Sequence, residues 1–161
     1  MQNLGWRPPP GRVDAATARQ NILSQHVRIR ALLERARLVA ESALDGEAPA
    51  PDAVASAIGD IRTTIEVHLA FEEGVVLPIL RDDLPLGPER ADRLVAEHTH
   101  QRQVLATLHA EASAGPERPT LAAKLAFVAN WFLDEMGHVE RYLLTADAIR
   151  DDVIVVDQSD G

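Results

Sequence analysis

Apolar residues recur at three- and four-residue intervals along most of the chain, and breakers cut that pattern into four long pieces. The first runs from Ala15 to Leu44 without Gly or Pro and carries Ile22, Ile29, Leu32, Leu33 and Leu38 at helical spacing. Pro8-Pro9-Pro10-Gly11 ends an extended arm before it, Asp14 is a good N-cap, and Asp45-Gly46 supplies a stop. Pro49-Ala50-Pro51-Asp52 links to a second piece, Ala53 to about Leu80, which contains Gly59 and Gly74. Pro78 predicts a kink or an end there. Pro85 to Pro88 opens a third piece that reaches about Ala112, with Pro88 suited to a first helical turn. The fourth is expected after Pro119, capped by Thr120, and to continue to about Ile149.

Helices of roughly 25 to 30 residues are about 38–45 Å long at ~1.5 Å per residue. Four of similar length joined by short loops predict an all-α, up-down-up-down four-helix bundle. The length of 161 residues suits one domain. The expected organisation is an arm at 1–13, the bundle at 14–150 and a tail at 151–161. Val153-Ile154-Val155-Val156 has no partner strand in the sequence and is expected to pack across the bundle.

Composition narrows the chemistry. With no cysteine, thiolate zinc sites, iron–sulfur clusters, disulfides and a cysteine nucleophile are excluded. Sixteen basic residues against 25 acidic ones give a net charge of −9, which offers no basic footprint for nucleic acid and disfavours an anionic membrane surface. No apolar run approaches the ~18 residues of a membrane span, and the amino terminus carries no hydrophobic signal segment. A cytoplasmic location is the expectation.

The six histidines carry the chemistry. His26 and His98 lie 72 positions apart, His68 and His138 lie 70 apart, and each falls on a different helix. Local context repeats as well, since Gln25-His26 with Arg30 matches Glu97-His98 with Arg102. Residues four apart share a helix face, so His68 with Glu72, and His138 with Tyr142, can aim together at the bundle axis. Imidazole nitrogen with carboxylate and phenolate oxygen, and no sulfur, suits iron or manganese. His100 lies on the opposite face from His98 and is expected in solvent. His109 lies three turns away, too far for the same metal, as a core or channel residue.

His26, the run His68-Leu69-Ala70-Phe71-Glu72-Glu73 with Leu77-Pro78 behind it, His98 and His138 together resemble the hemerythrin-like, HHE cation-binding family over about Asn21 to Leu144. The resemblance implies a four-helix bundle holding two iron ions joined by an oxo or hydroxo bridge, with His26, His68, Glu72, His98 and His138 as ligands and Glu72 bridging. Two departures stand out. Arg102 occupies the place of a further histidine in the oxygen carriers, and Tyr142 that of the second bridging carboxylate. Glu135 is the best substitute carboxylate and Asp134 the second. These departures are similar to those of the hemerythrin-like proteins of mycobacteria.

A phenolate stabilises ferric iron, so Tyr142 as a ligand weighs against oxygen carriage. It favours catalase-like or peroxidase-like chemistry on hydrogen peroxide or nitric oxide, with oxygen as a further small ligand. Around the site, Glu73 or Glu97 can accept a ligand histidine's free N–H, and Arg30 and Arg102 can pair with nearby carboxylates. Phe71, Trp131 and Phe132 are expected to shield it. A non-enzymatic sensor of oxygen, nitric oxide or iron is the alternative, and a metal-free bundle with accidental histidines a third reading.

Overall fold

A computed structural model describes residues 14–46, 52–82, 87–115, 118–142 and 144. These residues form helix α1 (Ala15–Leu44), α2 (Ala53–Phe71), a π-helical turn (Glu72–Val76), α3 (Leu77–Asp82), α4 (Gly87–Ala114) and α5 (Arg118–Tyr142). α2, the π-turn and α3 make one continuous rod. The four rods pack cyclically, each against its sequence neighbours, with α5 returning to α1. This is the expected four-helix bundle, and the described residues include no strand. The arm at 1–13 and the tail at 151–161, with Val153–Val156, lie outside the described residues, as does the expected run of the last helix from 145 to Ile149.

Local chemistry accounts for the ends. The Asp14 carboxylate accepts the Thr17 backbone N–H at 2.7 Å and the Thr17 hydroxyl at 2.7 Å, capping α1. Gly46, at φ 76°, closes the other end, where only glycine avoids a Cβ penalty. Asp52 precedes α2 without a side-chain cap bond. α5 begins at Arg118, so Pro119 sits inside its first turn, where a missing N–H costs nothing.

Pro78 neither ends nor breaks its rod. It has no N–H for the Gly74 carbonyl, and its ring would crowd that carbonyl in a regular helix. The backbone instead widens by one residue just before it, with the Leu77 N–H bonded to the Glu72 carbonyl. α3 then continues to Asp82.

Two apolar clusters fill the bundle. One is built on Ile29, Leu33, Ile58, Ile61, Ile65, Leu105, Leu125 and Phe132. The other gathers Ile22, Phe71, Val75, Val76, Leu80 and Leu94. Between them, at one level of the axis, lie His26, His68, Glu72 and His98, all buried.

Asp14→Ala should weaken protection of the first turn of α1, read by amide hydrogen exchange at Thr17 and Ala18. Its carboxyl is held below the usual carboxylate range by the Thr17 backbone hydrogen bond. The capping contribution is therefore present above the unfolded carboxyl pKa of about 3.9 and lost as pH falls through the lower folded value. Wild type and variant should converge under strongly acidic conditions.

Candidate metal centre

Each of three rods delivers an imidazole to the polar level. On α1, His26 lies between Ile22 and Ile29 on the inward stripe and is 1% exposed. On α2, His68 lies between Ile65 and Leu69 and is 6% exposed. On α4, His98 follows Leu94 by one turn and is 1% exposed. Glu72, at the first position of the π-turn, is 4% exposed and points to the same level.

The distances are short. His26 Nε2 and His68 Nε2 are 3.2 Å apart, His68 Nε2 lies 3.4 Å from Glu72 Oε1, and His98 Nε2 lies 2.9 Å from Glu72 Oε2. One carboxylate oxygen thus faces His68 and the other faces His98.

The outer ring nitrogens explain what those inner atoms are. His26 Nδ1 donates to Glu140 Oε1 at 2.7 Å, His98 Nδ1 to Glu73 Oε1 at 3.1 Å, and His68 Nδ1 to Gln25 Oε1 at 2.9 Å. A carboxylate can only accept, so the His26 proton belongs on Nδ1, and the amide oxygen of Gln25 draws the His68 proton to Nδ1 as well. The Nε2 atoms of His26 and His68 are then left with lone pairs aimed inward, whereas His98 meets a carboxylate at each nitrogen, Glu73 at Nδ1 and Glu72 at Nε2. His26 and His68 present two such acceptors to each other, with a carboxylate beside them. Buried acceptors converging with no donor among the described residues are costly. A cation among them satisfies all of them, and this set of nitrogen and oxygen donors fits iron or manganese. Among the described residues, His26, His68 and Glu72 have ligand atoms within 4.8 Å of one another.

Electrostatics agree with that reading. Burial pushes the His68 imidazole down to about 4, against a partial opposing pull from Glu72, so the ring is neutral at pH 7. Burial alone would raise the Glu72 carboxyl, but the His98 hydrogen bond and the nearby imidazoles outweigh it and hold it below the usual range. Arg102 binds Glu73 through two bonds of 2.6 and 3.0 Å and lowers its carboxyl likewise. Arg30, bonded to Glu140 at 2.8 Å, does the same there.

A cavity of about 20 Å³ adjoins the cluster, room for roughly one water-sized molecule. Ile65, Leu69, Leu94, Phe132 and Met136 form its apolar wall, and Gln101, Glu97 and Glu135 its polar one. Burial, followed by the Glu135 charge, pushes the Glu97 carboxyl above its ordinary value.

The expected site residues fall into three groups. His26, His68, Glu72 and His98 are brought together. Glu135 lines the cavity, half-buried, whereas Asp134 is exposed. His138 is placed on the exposed side of α5, near Glu97, outside the four-residue cluster. The apolar stripe of α5 runs through Leu125, Val128, Phe132 and Met136 to Val139, and position 138 stands well off that line. The Tyr142 side chain lies outside the described residues.

Of the shielding residues, Phe132 lines the cavity, Phe71 is buried in the adjoining cluster, and half-buried Trp131 meets exposed His100 edge to face, with ring centroids 5.4 Å apart. His109 is half-buried, and its Nδ1 has no hydrogen-bond partner among the described residues. Sequence reasoning missed Glu140, Gln25 and Gln101 as members of the site. Glu140 lies 114 positions from His26, and no spacing rule within one helix reports such a pairing.

The hemerythrin HHE cation binding domain matches residues 17–146 of the chain. No curated protein and no solved structure matches it. The chain belongs to the hemerythrin HHE cation-binding family, whose members bind metal cations, typically iron.

Because the folded His68 ring resists protonation to about pH 4 while an unfolded one titrates near 6.5, the unfolded chain binds more protons in that window. The metal-free protein should lose stability as pH falls from about 6.5 towards 4. His68→Phe should flatten that slope in denaturant titrations across the same range; an unchanged slope would contradict a neutral buried His68.

Proposed function

We propose that this member of the hemerythrin HHE family holds two irons and uses them to reduce or dismutate hydrogen peroxide, with nitric oxide as the alternative electron donor. The observation that carries the reading is the split of Glu72. One oxygen faces the His26–His68 pair and the other faces His98, the disposition of a carboxylate bridging two metal positions. His26 and His68 would serve the first position and His98 the second, where Glu135 from the cavity wall adds a carboxylate and Tyr142 is the remaining candidate. The donor set, neutral imidazoles with one carboxylate, tolerates both ferrous and ferric charge.

Two irons held by these residues would supply, between their ferrous and ferric states, the two electrons that splitting one peroxide requires. The chain's own groups do the rest. The apolar wall of Ile65, Leu94, Phe132 and Met136 limits water, and a cavity with room for about one water-sized molecule restricts the site to the smallest ligands. Glu97, whose carboxyl holds its proton more firmly than an ordinary glutamate, lines that cavity beside Glu135. There it can take a proton from an entering peroxide and return it to departing water.

Metal analysis of the reconstituted protein should give two irons per chain, and Glu72→Ala should lose at least one of them. Steady-state peroxide consumption with recovery of the iron spectrum supports an oxidoreductase. A single stoichiometric reaction without turnover would instead indicate a sensor. Tyr142→Phe should abolish a visible phenolate-to-iron band; an iron-loaded wild type with no such band removes Tyr142 from the ligand set.

A further inference from the structure

The three buried imidazoles are not held alike. His26 and His98 give their outer N–H to carboxylates, Glu140 and Glu73. Each carboxylate is in turn gripped by the arginine one turn beyond its histidine. Arg30 binds Glu140 at 2.8 Å, and Arg102 binds Glu73 at 2.6 and 3.0 Å. His68 gives its outer N–H to the neutral amide oxygen of Gln25. The sequence repeat that pairs His26 with Arg30 and His98 with Arg102 therefore becomes two Arg–Glu–His relays. Their middle members come from unrelated places, one on α5 and one in the π-turn.

We propose that this difference grades the ligands. Glu140 and Glu73 are positioning residues that make His26 and His98 stronger donors than His68, and Arg30 and Arg102 hold those carboxylates on the rings. An anionic acceptor draws the Nδ1 proton outward and raises electron density at Nε2, where a metal binds; a neutral amide does so less. Stronger donors favour the more highly charged state of a bound iron, so the relays lower its reduction potential. The redox consequence rests on the iron reading above, whereas the position of the ring protons does not.

The arginine pairs are half-exposed, with Arg30 38% and Glu140 24% accessible, and Arg102 32% and Glu73 33%. Ion pairs that open to solvent contribute little to stability by themselves. Here each pair also fixes a buried imidazole, which an ordinary surface pair does not.

Midpoint potentials of the iron-loaded full chain provide the test. Glu73→Gln and Glu140→Gln, which replace an anion by an amide of similar shape, should each shift the potential positive, and Gln25→Glu should shift it negative. Arg37→Gln, whose ion pairs join Glu34 and Glu41 within α1, should leave it unchanged. Unshifted potentials in the three positioning variants at undiminished iron content would overturn the proposal. Nitrogen NMR of the metal-free full chain forms a second arm. It should find the proton on Nδ1 of His26 and His68, with the N–H resonance of His26 the further downfield. Arg30→Gln should move only that of His26, and Arg102→Gln only that of His98. A His26 ring protonated on Nε2 would overturn the grading. Failure of the wild type to take up iron would defeat the iron reading, and the NMR arm would then decide the grading alone.

Discussion

The bundle is organised around the inward lone pairs of His26 and His68, to which the described interior gives no proton to share. Hydrogen bonds on the outer side of these two rings commit their protons away from the axis, and Glu72, bonded to His98, adds a carboxylate to the same level. A core filled by leucine and isoleucine alone would avoid the desolvation that this arrangement incurs. Its persistence at the centre of a helical bundle is what makes a cation-binding interior the physical reading of the fold.

That polar level divides the interior. Ile29 to Met136 pack on one side, and Ile22, Phe71, Leu80 and Leu94 pack on the other. A cation held by residues from α1, α2, the π-turn and α4 would tie both halves together, because whatever binds only the folded chain stabilises it by mass action. Metal occupancy and global stability are therefore coupled in this protein. The coupling runs through the few side chains that belong to neither apolar cluster.

Much of this organisation could be read from the residue order. Helical periodicity, Asp14, Asp45-Gly46 and the proline-bearing joints gave the rods, and matched spacing singled out His26, His68 and His98 with Glu72. Two features escaped for one reason: spacing along a helix does not report how the helix is rotated about its own axis. Pairing His138 with Tyr142 directed that face of the last helix inward, although the stripe Leu125, Val128, Phe132, Met136 and Val139 was equally available and fixes another rotation. The same rotation brings Glu140 against His26. The widening before Pro78 escaped because a proline announces a missing hydrogen bond without saying how the backbone absorbs the loss.

The widened turn at Glu72–Val76 has a consequence for how the second rod tolerates change. Inserting one residue advances everything downstream by about 100° of screw, so Leu77 and Leu80 belong to a different angular frame from Ile61, Ile65 and His68. A heptad register drawn through the upper half points to the wrong face in the lower half. Substitutions beyond Gly74 must be judged against the far apolar cluster alone, and a single-residue deletion in the turn would restore regular helical spacing and drive the proline ring onto the carbonyl four residues before it, so the extra residue and the proline depend on each other.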